Sequence, residues 1–203
     1  MKLNIHRPFS YRIASTHIDY DFTELRKDKR IVGVSPKNIN DTSKYTEKEF
    51  VEKYFRILEY YPDLKKLILD AFHLFSSQIH PDKKFALSTS WKAEVVDGEN
   101  FTYHNHTNCV YSAVLYHDTY DENSAVLSLE NPIKIGSDLC CKDEEIAHLR
   151  PYTGGFYIFP SQIWHSTSTQ KGGVPRYSLA CNFVLTDPIY NFDSSLDLSW
   201  LSS

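Results

Sequence analysis

No stretch of this sequence approaches the roughly 20 consecutive apolar residues that a helix needs to cross a bilayer. Its opening, MKLNIHRPFSYR, has no apolar core of the kind a secretory signal carries. Nor is there an excess of positive charge. The 22 Lys and Arg are set against 26 Asp and Glu, a formal charge of −4, which offers no electrostatic footprint for nucleic acid or an anionic membrane surface. Cysteine is scarce: Cys109, Cys140, Cys141 and Cys181 are the four, and the adjacent pair matches neither a zinc-finger spacing nor a disulfide framework. Reduced thiols in a cytoplasmic protein are the expectation, with Cys109 and Cys181 as small core residues of strands. Internal repeats, low-complexity tracts and linkers are also missing. The 203 residues therefore read as a single domain, 1–203, and a hydrophobic fraction of 41% is ample for its core.

Periodicity divides that domain. Thr46-Glu47-Lys48-Glu49 has the form of a capping box, and Phe50, Tyr54, Ile57 and Leu58 follow it on one helical face. Pro62 suits the first turn of a second helix, whose stripe is Leu64, Leu67, Ile68, Ala71, Phe72, Phe75 and Ile79, with Pro81 as its stop. Beyond Pro81 the period falls to two. Trp91, Ala93 and Val95 alternate with Lys92 and Glu94, and strand-like runs recur at 110–116, 125–129, 156–159 and 176–184. Helices first and strands afterwards indicate an α+β fold, with helices buttressing one face of an antiparallel sandwich or barrel. The expected divisions are an N-terminal segment with helices at 1–84, a β-barrel core at 85–186 and a tail at 187–203.

Chemistry concentrates in the second half. In FTYHNHTNCVYS, residues 101–112, His104 and His106 are two apart and so project to the same side of an extended chain. A third imidazole, His165, follows the apolar run Phe156 to Phe159 in GGFYIFPSQIWHSTS. Two readings stand at this point: a metal clamp, or ordinary polar residues at strand ends. In PRYSLACNF, Arg176, Ser178, Ala180 and Asn182 share one face. A guanidinium there either meets an anion, with a hydroxyl two residues on as a second donor, or reaches solvent at a rim. Tyr116, on a face with Ser112 and Val114, can offer its phenol to the same anion. Trp91 and Trp164 are candidates for the cavity mouth. His6, His17, His73, His80, His117 and His148 fit no ligand spacing.

Four segments together resemble the iron(II)/2-oxoglutarate-dependent oxygenases, most closely the prolyl-4-hydroxylase-like branch. They are HNH at 104–106, YSAVLYHD at 111–118, GGFYIFPSQIWHSTS at 154–168 and RYSLACNF at 176–183. The resemblance covers about residues 85–185. It implies a double-stranded β-helix, the jelly-roll or cupin-like barrel, buttressed by N-terminal helices. It also implies Fe(II) held by His104, His106 and His165. The co-substrate 2-oxoglutarate would be bound by Arg176, Ser178 and Tyr116, with Asn182 beside them orienting a metal ligand. Dioxygen and an unidentified substrate, a small molecule or peptide, complete the partners, and ascorbate is the expected reductant. The implied reaction is hydroxylation with release of succinate and CO₂.

One departure stands out. The usual facial triad is two histidines and a carboxylate, and its carboxylate belongs at position 106, where this chain has histidine. Either three imidazoles hold the metal, or a carboxylate such as Asp118 arrives from elsewhere. Three histidines also suit Zn²⁺. The rival reading is thus a cupin-like three-histidine barrel, either a zinc hydrolase or a non-catalytic binding module. A third is a degenerate fold kept for interactions, without metal. Substrate selectivity is expected in the loops 117–124 and 131–150.

Overall fold

The computed structural model describes residues 12–33, 45–132 and 146–188. His6, Cys140, Cys141, most of the loop 131–150 and nearly all of the tail lie outside them. The described chain runs β1 (Ala14–His17), α1 (Thr23–Lys27), β2 (Ile31–Gly33), α2 (Glu47–Tyr54), a 3₁₀ turn (Ile57–Tyr60) and α3 (Pro62–Ile79). The strands β3 (Phe85–Val95), β4 (Tyr111–Leu115), β5 (Leu127–Glu130), β6 (Ile146–Leu149), β7 (Gly155–Pro160), β8 (His165–Thr167) and β9 (Arg176–Leu185) follow. The α+β order read from periodicity is the order observed.

Two sheets carry the fold. The larger has the order β1-β7-β4-β9-β3-β2, and the smaller has β6-β5-β8. Pairing is antiparallel throughout except for β2, which runs parallel to β3. Both outer strands of the large sheet come from the first 33 residues, a region whose polar turns conceal such short strands in the sequence.

The helices form as the sequence asks, with one change. Thr46 Oγ1 accepts the Glu49 N–H at 3.3 Å while the Glu49 carboxylate accepts the Thr46 N–H at 2.8 Å, closing the capping box. Yet α2 ends at Tyr54 and does not carry Ile57 and Leu58 on one continuous face. The cause lies in β3. Ser90 N donates to Phe55 O at 2.9 Å, and Ser90 Oγ accepts from Leu58 N at 3.1 Å. That competition for the backbone turns 57–60 into a 3₁₀ turn, and Ile57 and Leu58 reach the core from there.

α3 begins at Pro62 and lays Leu64, Ile68, Phe72 and Phe75 on the outer face of the large sheet. The ring of Phe72 stacks on that of Phe183 in β9 with centroids 3.7 Å apart. Its stripe is narrower than the sequence suggests, because Leu67 is 37% exposed. α1 is fastened differently. Lys92 of β3 is buried, and its Nζ donates to the carbonyls of Leu25 and Asp28, each at 2.6 Å. Burial pushes its pKa down to about 8. On the same side His117 is buried; desolvation, reinforced by the charges of Lys92 and Arg26, lowers its pKa to about 3, so it is neutral at pH 7.

The helix face separates Phe72, 1% exposed, from Leu74, 66% exposed. Phe72→Ala should lower unfolding stability by about 3–5 kcal/mol, the range for a large aromatic core truncation. Leu74→Ala should change it by less than about 0.5 kcal/mol. Urea denaturation of the two variants measures both, and equal losses would contradict this packing.

Candidate metal centre

β9 organises the site by alternation. Leu179, Cys181 and Phe183 turn toward α3, while Arg176, Ser178, Ala180 and Asn182 turn to the opposite face and line a cavity between the sheets. Ser112 and Val114 of β4 line the same cavity, as do Trp91 and Ala93 of β3. The small sheet closes it with Leu127, His165 and Thr167. Leu127, Leu129, Phe159 and Ile163 form the apolar cluster between the sheets. The paired registers Ser112↔Asn182 and Val95↔Arg176 fix which residues meet across the floor.

The three histidines converge on this cavity. His104 and His165 exchange both backbone hydrogen bonds, at 2.9 and 2.8 Å, and His106 N donates to Ser161 O at 2.9 Å. That bridging keeps 104–106 extended, so His104 and His106 face the same way. One ring nitrogen from each of His104, His106 and His165 lies within 4.8 Å of the other two. His104 Nδ1 sits 2.7 Å from Thr102 O, and His165 Nδ1 sits 2.8 Å from Ile163 O. A carbonyl only accepts, so both Nδ1 atoms carry the hydrogen and both Nε2 atoms keep a free lone pair. Burial pushes the His165 pKa down to about 4, with the neighbouring imidazoles adding to the shift. Burial, then His104, lowers that of His106. Neutral imidazole is the ligating form, and burial keeps it available at pH 7.

Arg176 marks another part of the cavity. It is 3% exposed, donates from Nη2 to Tyr116 Oη at 2.8 Å, and lies over the Tyr116 ring at 4.9 Å. Its Nε and Nη1 are buried with no partner among the described residues. A guanidinium in this position does not reach solvent at a rim, which disposes of that alternative. Burying a cation without an anion is costly, and the unmatched N–H groups on Nε and Nη1 are donors left for an anion such as a carboxylate. Ser178 lies beside it on the same lining face.

Asn182 is turned to the histidines rather than to Arg176. Its Nδ2 is 3.2 Å from His106 Nδ1, and its Oδ1 accepts from Ser112 Oγ at 2.8 Å. The alternation of β4 puts Ser112 on this face in the sequence, but its partner becomes visible only through cross-strand register. Trp91 lines the cavity and stacks near His106 at 6.0 Å. Trp164 does not line it; 44% exposed, it stacks on Tyr103 at 5.0 Å in a separate groove. Asp118 is also elsewhere. It accepts from Thr119 N at 2.8 Å and lies 3.7 Å from Arg26 Nε. Phe101 and Phe159, which the sequence does not single out, complete the apolar lining.

Comparison with known proteins meets this geometry directly. Residues 89–182 match the family described as "Putative 2OG-Fe(II) oxygenase". This segment is similar to the 2OG-Fe(II) oxygenases. It begins in β3, ends at Asn182, and contains the three histidines, Tyr116, Arg176 and Ser178. Among solved structures, a Pseudomonas putida prolyl-4-hydroxylase is 19% identical over 60% of this chain and 65% of its own, with a TM-score of 0.45. HygX from Streptomyces hygroscopicus, with nickel and 2-oxoglutarate bound, is 11% identical over 66% and 72%, with a TM-score of 0.49. A 2OG-Fe(II) oxygenase family protein from Burkholderia pseudomallei is 10% identical over 54% of this chain and 50% of that one, with a TM-score of 0.44. The chain thus spans half to two thirds of the length of two of these relatives. No curated protein sequence matches it.

The residues of the matched segment fit the metal and co-substrate of the 2OG-Fe(II) oxygenases on their own chemistry. Three imidazole nitrogens converge, and a buried guanidinium in the same cavity lacks an anion. No carboxylate joins the histidines among the described residues. An unpaired buried cation should weaken the ligand-free protein. Arg176→Met should therefore raise ligand-free unfolding stability by about 1–3 kcal/mol, as when a buried charge is replaced by an apolar residue. Chemical denaturation tests this; a loss of more than about 1 kcal/mol would make Arg176 a structural residue.

Proposed function

We propose that this protein is an Fe(II)- and 2-oxoglutarate-dependent dioxygenase that hydroxylates an organic substrate and releases succinate and CO₂. The observation that carries the proposal is the buried guanidinium of Arg176, with Nε and Nη1 unmatched, in the cavity where three histidines converge. His104, His106 and His165 hold the metal. Arg176 binds the distal carboxylate of 2-oxoglutarate, Tyr116 braces the guanidinium through Nη2, and Ser178 donates a further hydrogen bond. When bound, iron and 2-oxoglutarate together supply the activation of dioxygen.

The remaining residues orient and exclude. Val114, Leu127 and Phe159 keep the cavity wall apolar, which strengthens the charge interactions inside it. Three neutral ligands leave the metal's double positive charge uncompensated, so the dianionic co-substrate binds better when the metal is present. The same donor set also suits zinc, and that is the second reading: a three-histidine barrel without redox turnover. Against it stands Arg176, for which a zinc site has no use.

Purified protein with Fe(II), ascorbate and 2-oxoglutarate should release succinate, slowly in the absence of substrate. Thermal unfolding should shift upward with Fe(II) and 2-oxoglutarate together, under anaerobic conditions, by linkage of binding to folding. Arg176→Ala should weaken 2-oxoglutarate binding about 100-fold or more, the loss expected for charge-assisted hydrogen bonds of roughly 1.5–3 kcal/mol each. Metal content should stay intact in that variant. His104→Ala, His106→Ala and His165→Ala should lose iron, and Asp118→Asn should keep it. Stabilisation by Zn²⁺ alone, with no response to 2-oxoglutarate, would decide for the second reading.

A further inference from the structure

The three imidazoles are not held alike. His104 and His165 each give the Nδ1 hydrogen to a backbone carbonyl two residues earlier, at 2.7 and 2.8 Å. Their Nε2 atoms are thereby bare and ready for a metal. His106 has a different neighbour: its Nδ1 lies 3.2 Å from the Nδ2 amide nitrogen of Asn182. The other end of that amide, Oδ1, accepts from Ser112 Oγ at 2.8 Å. An NH₂ group only donates, so in this arrangement Nδ1 of His106 is the bare nitrogen and its hydrogen sits on Nε2.

An imidazole with hydrogen on Nε2 has no lone pair there to offer. For His106 to join the other two as a ligand, the hydrogen must move to Nδ1, and the neighbour must become an acceptor. A primary amide can do this by a half-turn of its terminal group. Oδ1 then accepts from Nδ1–H, and Nδ2 donates to Ser112 Oγ. A serine hydroxyl is both donor and acceptor, so it serves either orientation. Asn182 and Ser112 are buried, 8% and 4% exposed, and each keeps its partners in both states. The backbone stays where it is. His106 is half-buried and open enough for water to carry the proton from Nε2 to Nδ1, with no net gain or loss.

We infer that Asn182, seated on Ser112, is a positioning residue that selects the tautomer of His106, and that metal binding reverses its side-chain amide. This rests on the reading of His106 as a metal ligand. The residue types support it. An aspartate at 182 would accept permanently and hold His106 ready for metal at all times; an apolar residue would hold neither tautomer. Asparagine permits both, and so ties the shape of the site to occupancy. In effect it gives the histidine at 106, which stands where the family has a carboxylate, a partner that can change its sense.

The test uses the whole chain labelled with ¹⁵N-histidine, with Zn²⁺ as a diamagnetic probe. Two-bond ¹H–¹⁵N correlation spectra show which ring nitrogen carries hydrogen. His104 and His165 should be Nδ1–H with and without zinc. His106 should change from Nε2–H to Nδ1–H when zinc binds. In Asn182→Asp, His106 should be Nδ1–H before any metal is added, and zinc affinity should equal or exceed that of the unaltered protein. In Asn182→Leu, zinc affinity should fall about 10–100-fold, the effect usual for loss of a hydrogen-bonding partner behind a ligand. His106 already Nδ1–H without metal in the unaltered protein would overturn the inference, as would Asn182→Leu binding zinc normally. His106→Ala separates the two levels. If it binds zinc as tightly as the unaltered protein, the ligand assignment itself fails; if it loses zinc while Asn182→Leu does not, the failure is confined to Asn182.

Discussion

The alternation of β9 is the constraint on which the rest depends. This strand lies inside the large sheet, between β4 and β3, so both of its faces are committed. Leu179, Cys181 and Phe183 must be apolar because α3 covers them, and the residues between them are thereby released to point into the cavity. A one-residue slip in register would exchange the two sets, placing Arg176 against the helix and Phe183 in the cavity. The stacking of Phe72 on Phe183 opposes such a slip. Packing on one face therefore sets the positions of polar groups on the other.

That arrangement explains how a site with so much unmatched polarity persists. Arg176 has two nitrogens without partners, and the histidines crowd to within 4.8 Å. Each feature opposes folding when the cavity is empty. Burial softens the second by favouring the neutral forms of His106 and His165. The first has no such relief, because a guanidinium stays charged. The helix-covered face supplies the stability that lets the cavity face remain poorly satisfied.

Much of this was legible in the sequence because it depends on periods of two. The pairing of His104 with His106, and the sorting of β9 into two faces, follow from alternation alone. The ends of α3 follow from Pro62 and Pro81. What was hidden depends on register between distant segments. The end of α2 is set by Ser90, more than thirty residues away, competing for backbone groups. The place of Asn182 beside His106 needs the Ser112↔Asn182 register of β4 and β9. Trp164 looked equivalent to Trp91, yet the residue after it, His165, takes the inward position and leaves the indole outside. The strands β1 and β2 are three or four residues long and carry too little pattern to be read.

Those two short strands bear on how the molecule can be divided. β1 covers the outer side of β7 and β2 covers that of β3, and both precede the family-matched segment by at least fifty residues. A piece cut to the matched segment alone would leave β7 and β3 with bare backbone edges, one on each side. Such edges pair readily with copies of themselves and lead to aggregation. The matched segment is thus not a self-sufficient module: residues far upstream of it cover two of its strand edges.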